Sequence, residues 1–171
     1  MSRNRNVIYL ILHDIRSVHN VGAIFRTAEG AGVSRIILSG YTPGPLDRFG
    51  RERSDFKKSA LGAEKLVSFE QTYNISATLS DLKKKRFYII ALEQDKNAVD
   101  YKKVKIKNKT AVLVGNEVRG IPKNILKKCD IVAEIPMRGK LARNRRRDDV
   151  GKESLNISVA VGIALFRFFD L

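Results

Sequence analysis

The chain has 171 residues, 43% of them hydrophobic, which suits one globular domain with a single core of ordinary size and leaves little room for a second. Its 33 Lys and Arg against 18 Asp and Glu give a formal net charge of +15, which favours a polyanionic partner, nucleic acid first, over an anionic membrane surface. No stretch approaches the roughly 18 to 20 apolar residues that span a bilayer, and "MSRNRNVIYLILHD" has too short an apolar segment for a secretory signal, so no membrane partner and a cytoplasmic location are expected.

In chain order, "VIYLIL" (7–12) and "RIILS" (35–39) read as short buried strands, and the segment between them has helical spacing at Ile24, Ala28 and Ala31. This is a βαβ opening. "GYTPGPLDRFGRERSD" (40–55) reads as a loop punctuated by Pro and Gly. A helix-like "TYNISATLSDLKKK" precedes the strand "RFYIIALE" (86–93), and "TAVLVG" (110–115) is a further strand. "PKNILKKC" is a helix with Pro122 in its first turn, "DIVAEIP" (130–136) the last strand and "SLNISVAVGIALFRFF" (154–169) the last helix. The expected fold is α/β, a mostly parallel sheet with helices on both faces.

Common signatures are missing: no GxGxxG follows the first strand, "GKES" lacks the features of a phosphate-binding loop, and there is no HExxH. His13 and His19, the only histidines, read as surface or capping residues, and no metal is expected. Cys129, the only cysteine, excludes an internal disulfide and a CxxC zinc cluster and reads as a small core residue.

Three strand ends carry unusual polar residues. In "HDIRSVHNVGAIFRTAEGAG" (13–32), Asn20 stands where a helix would be capped. Gly22, Arg26 and Gly30 follow at i, i+4 and i+8, one helical stripe on which a bulky partner can approach the guanidinium closely. A surface ion pair with glycines for helix packing is the equally simple alternative. In "TAVLVGNEVRGIP" (110–122) a strand turns at Gly115, presents Asn116, Glu117 and Arg119, and turns again at Gly120. That is either a ligand crevice at a strand's carboxyl end or an ordinary βα turn. In "AEIPMRGK" (133–140) with "ESLNISVAVGIALF" (153–166), the last helix is apolar on nearly every face and is expected to be buried all round, yet begins with Ser154, Asn156 and Ser158. Ser154 or Asn156 as a cap explains one of these but not all three.

Through "NVGAIFRTA", "LVGNEVRGIP" and "IPM…SLNISVA", in that order, the chain resembles the SpoU (TrmH-like) branch of the SPOUT superfamily, the S-adenosylmethionine-dependent RNA ribose 2′-O-methyltransferases, from residue 7 to residue 169. The resemblance implies a C-terminal trefoil knot, an exception to the general absence of knots. It also implies a homodimer with active sites at the subunit interface, a tRNA or rRNA substrate and no metal. It implies a cofactor pocket around Leu92, Gly115, Ile135 and Met137, closed by Ser154 and Leu155. Asn20, Arg26, Glu117, Ser154 and Asn156 are implied as the catalytic and RNA-positioning set, with Arg26 on the phosphate beside the target ribose and Arg119 among the RNA contacts. The chain is expected to form one methyltransferase domain over 1–171 without a separate RNA-binding extension.

One departure is "LARNRRRDDVG" (141–151), where relatives connect the two halves by only a few residues. Arg143, Arg145, Arg146 and Arg147 make it either an arm that grips RNA or a solvated loop. Two other functions compete with ribose methylation: a basic RNA-binding protein that keeps the fold without the chemistry, and a SPOUT base methyltransferase.

Overall fold

A strand that stays apolar at successive positions, rather than alternating, requires cover on both faces. The computed structural model, which describes residues 6–139 and 154–169, provides that cover. Strands β1 (Val7–His13), β2 (Arg35–Ser39), β4 (Tyr88–Leu92) and β6 (Lys109–Val114) are almost wholly buried. With β3 (Phe69–Thr72), β5 (Val99–Asp100) and β7 (Ile131–Glu134) they form a seven-stranded sheet of order β3-β2-β1-β6-β4-β7-β5, in which every pairing is parallel.

The sheet divides its side chains between two cores. Leu10, Leu12, Ile36, Leu38, Val112 and Val114 pack with helices α1 (Val18–Gly30), α2 (Ser54–Ala60) and α5 (Ile157–Phe168). Ile11, Ile37, Ile89 and Leu113 point the other way, towards α3 (Ile75–Lys84) and the short α4 (Lys123–Leu126). Cys129 packs, half-buried, at the edge of this second core. The register brings the strand ends level, His13 opposite Ser39 and Leu12 opposite Val114, so the loops after β1, β2 and β6 leave from one edge.

Several sequence expectations need correction. The cap of α1 is Ser17, whose hydroxyl accepts from the Asn20 N–H at 3.2 Å, so Asn20 lies inside the first turn and its side chain is free for other work. Gly22 does not open a path to Arg26. It is buried against α2, where an added Cβ would come within 2.8 Å of the Phe56 carbonyl, so its small size serves helix packing, while Gly30 faces open space. His13 is buried and shares a 3.1 Å hydrogen bond with the Ser39 hydroxyl; burial lowers its pKa although Asp14 pulls it upward. Edge strands β3 and β5 and helix α2 were not anticipated.

Helix α5 is not buried all round. Val161, Ala164, Leu165 and Phe168 face the core and Gly162 lies against Thr27 of α1, whereas Val159 is 49% exposed, Phe166 42% exposed and Ile163 only partly covered. An apolar stripe at i, i+4 and i+7 is thus only partly covered by the described residues. Among the described residues no helix is long and apolar enough to cross a membrane. The expected knot depends on the path of 140–153, which lies outside the described residues.

Candidate active site

In an open parallel sheet, ligands collect at the carboxyl edge where the order of connections reverses. Here β6 returns between β1 and β4, and β7 enters between β4 and β5. The cleft at the ends of β4, β6 and β7 is lined by Leu92, Gly115, Ile135, Met137, Ser154 and Leu155, with Asn20, Glu117, Arg119 and Asn156 contributing to the same wall. The residues singled out for cofactor binding are therefore neighbours in space. Gly115 is required by sterics: a Cβ there would lie 2.6 Å from Ile121 Cγ1 and 2.8 Å from the Gly120 carbonyl oxygen. Gly120 itself has φ +65°, the left-handed region that glycine enters without strain.

A line of hydrogen bonds crosses the rim of the cleft and joins the three polar motifs. Glu117, just beyond β6, accepts from the Arg16 N–H at 3.0 Å and the Ser17 N–H at 3.2 Å, satisfying backbone donors at the entrance to α1. It also accepts from Asn20 Nδ2 at 3.2 Å, and Asn20 Oδ1 accepts from Asn156 Nδ2 at 3.2 Å. Asn156 caps α5, its Oδ1 accepting from the Ser158 N–H at 2.9 Å and the Ser158 hydroxyl at 2.6 Å. Burial pushes the Glu117 pKa upward, but the hydrogen bonds from Arg16, its own backbone, Asn20 and Ser17 outweigh it, and the carboxyl stays below its ordinary value.

Asn116 is structural rather than presented. Its Nδ2 donates to the Asp14 carbonyl and the Tyr41 hydroxyl oxygen, both at 2.8 Å, while its Oδ1 accepts from the N–H groups of Val118 and Arg119. Arg119 is exposed on the cleft wall. Arg26 is exposed on α1, does not line the cleft and makes no hydrogen bond or ion pair among the described residues, so the ion-pair alternative has no support there. Arg143, Arg145, Arg146 and Arg147 lie outside the described residues.

Glu93 was not singled out, although it closes the apolar run "RFYIIALE" (86–93) at a strand's carboxyl end. It accepts from the Ile121 N–H at 2.8 Å and the Gln94 N–H at 2.9 Å, fastening the end of β4 to the turn after β6. Burial raises its pKa; the two N–H groups oppose this and Asp95 adds to it. The cleft thus sets apolar Leu92, Ile135 and Leu155 beside the carboxylates of Glu93, Asp95 and Glu134. Lys96, Arg119 and Lys123 line the same cleft, so apolar walls with polar groups of both signs offer a site for a small organic ligand. No group of three His, Cys, Asp or Glu side chains suited to a metal occurs among the described residues.

Residues 7–166 match the SpoU rRNA methylase family. The chain is 34% identical over 159 residues to an uncharacterized tRNA/rRNA methyltransferase of Mycoplasma pneumoniae, a match covering 92% of this chain and 58% of that protein. It is 30% identical over 159 residues to the 23S rRNA (guanosine-2′-O-)-methyltransferase of Xylella fastidiosa, covering 93% and 57%. The chain therefore spans a little over half the length of these relatives. An rRNA methyltransferase from Sinorhizobium meliloti, solved with AdoMet bound, superposes with a TM-score of 0.74 at 27% identity over 94% of this chain and 55% of that one. With the match running almost end to end and its three polar motifs meeting at one cleft, the chain belongs to the SpoU rRNA methylase family.

Proposed function

We propose that this chain transfers a methyl group from S-adenosylmethionine to a ribose 2′-hydroxyl of tRNA or rRNA, as a single methyltransferase domain acting as a homodimer in the cytoplasm. The observation that carries the reading is the Glu117–Asn20–Asn156 line of hydrogen bonds, which ties the three motifs together at the rim of the cleft. Leu92, Gly115, Ile135 and Met137 would hold the cofactor, with Ser154 and Leu155 closing over it. When bound, S-adenosylmethionine supplies a methyl group already activated on a sulfonium, so the chain's own task is to place and deprotonate the ribose hydroxyl.

In this reading Glu117 fixes the Asn20 amide, and Asn20 with Asn156 orients the ribose. Arg26 binds the phosphate beside it. A guanidinium donates hydrogen bonds and has no free acceptor for a proton, so Arg26 holds a phosphate oxygen where that oxygen takes the hydroxyl proton. Arg26 stands away from its own subunit's cleft and α5 offers an apolar stripe only partly covered by the described residues, so Arg26 is assigned to the site of a partner subunit docked on that stripe. Radiolabelled methyl transfer to total tRNA and rRNA, followed by nucleoside analysis, tests the assignment. A labelled 2′-O-methylnucleoside is expected. A labelled base would place the chain with base methyltransferases, and RNA binding without label would leave a binding protein.

A further inference from the structure

The loop between β2 and α2 is built as tightly as a hairpin, yet it presents an aromatic ring to solvent. Leu46 and Glu52 form an antiparallel bridge, and the Asp47 N–H donates to the Arg51 carbonyl at 2.9 Å. The Asp47 carboxylate accepts from the Phe49 and Arg51 N–H groups and from the Arg51 guanidinium at 2.8 Å. This closed tip raises Phe49, which is 66% exposed, and sets two cations over its ring: the Arg48 guanidinium carbon lies 4.6 Å from the centroid and that of Arg51 5.0 Å. Phe49 is held at the surface by the cations over its ring rather than by burial.

The loop is fixed at the edge of the sheet that carries the candidate active site. Its first residue after the turn, Tyr41, is held by its N–H on Asp14 and by its hydroxyl on Asn116, the neighbour of Glu117. Ser39 is level with His13 across β1 and β2, and β6 lies on the other side of β1. At about 4.8 Å per strand, the ends of β2 and β6 are roughly 10 Å apart. The Tyr41 ring is exposed, as is Tyr73 (83% exposed) just past β3, whose Thr72 carbonyl accepts from the Gly40 N–H. Phe49 with its two arginines, at the tip of a loop rooted at this edge, offers what single-stranded nucleic acid requires: a planar face for a base and cations for phosphates.

Building on the RNA reading above, we propose that Phe49 with Arg48 and Arg51 is a stacking platform for an unpaired base flanking the methylated nucleotide. The base lies on the ring and guanidinium planes while the free edges of the cations face phosphates. Asp47 holds Arg51 in place, so the platform is pre-organised.

The test measures binding of a short single-stranded RNA carrying 2-aminopurine, and of a duplex of the same sequence, to the parent, Phe49→Ala, Phe49→Tyr and Arg48→Gln. Calorimetry with S-adenosylhomocysteine serves as a control on the cleft. Phe49→Ala is expected to weaken single-strand binding roughly 5- to 150-fold, the fold-change equivalent to about 1 to 3 kcal/mol per stacked base, and to lose 2-aminopurine quenching. Its salt dependence should match the parent's. Phe49→Tyr should restore binding and quenching, and Arg48→Gln should flatten the slope of log affinity against log salt by about 0.7. Duplex and cofactor binding should not change with Phe49. Phe49→Ala within about twofold of the parent, well under the loss of one stacked base, overturns the platform while leaving the methyltransferase reading intact. A parent that binds neither RNA overturns both.

Discussion

Glu117→Gln tests whether one carboxylate holds the rim of the cleft together. The parent side chain accepts three hydrogen bonds, from the Arg16 N–H at 3.0 Å, the Ser17 N–H at 3.2 Å and Asn20 Nδ2 at 3.2 Å. Glutamine keeps one acceptor oxygen and turns an NH2 group towards donors, so one or two of the three are lost. Bonds to an ionised group contribute about 1.5 to 3 kcal/mol each, and the half-exposed position reduces that, for a net cost of about 1.5 to 3 kcal/mol. For a chain of this size each kcal/mol moves Tm by about 2 to 4 °C, so a fall of roughly 3 to 12 °C is expected near neutral pH at fixed protein concentration. Because the folded pKa lies below the ordinary value of 4.5, the stabilisation is present above that value and lost as pH falls through the folded pKa. Calorimetric melting of both proteins from about pH 7 downward should therefore show the gap closing below about pH 4.5. A Tm difference under about 1 °C at neutral pH, or one that widens in acid, would refute the reasoning.

Arg26→Lys should retain fold, dimer and cofactor binding but lose about 10²- to 10⁴-fold in single-turnover methyl transfer, since an ammonium cannot reproduce a two-bond grip on phosphate; turnover within about threefold of the parent removes Arg26 from the chemistry. Light scattering of the parent at micromolar concentration should give about twice the 19.3 kDa chain mass. Phe166→Asp, on the exposed stripe of α5, should halve that mass and abolish transfer together, whereas an active monomer contradicts the shared site. The Cys129 thiol is pushed up to about 12 by burial, so a disulfide reagent at about pH 8 should modify the native chain at least about 100-fold more slowly than the guanidinium-unfolded chain; equal rates contradict the burial.

What the sequence determined by itself follows from how strongly each segment is buried. The strands β1, β2, β4 and β6 are readable because cover on two faces demands continuous apolar runs, α1 because core-facing residues repeat at helical spacing, and α5 because it is apolar at nearly every position. The edge strand β3, "FEQT", is not: it pairs only with β2 and is mostly exposed, so nothing selects an apolar pattern. The two-residue β5, at the opposite edge, was hidden for the same reason. Leu92, Gly115 and Ile135 are implied by the family resemblance, and the strand order brings them to one cleft. The roles of polar residues needed the tertiary structure most. Asn20 reads as a cap in the sequence but Ser17 takes that place, Asn116 is engaged by the loops around it while Glu117 joins Asn20, and Glu93 carries no mark in the sequence beyond closing a strand. An amide or carboxylate carries no mark of its partner in its own neighbourhood of the chain: Glu117 meets Ser17 across 100 residues and Asn156 meets Asn20 across 136, and only folding brings donor to acceptor.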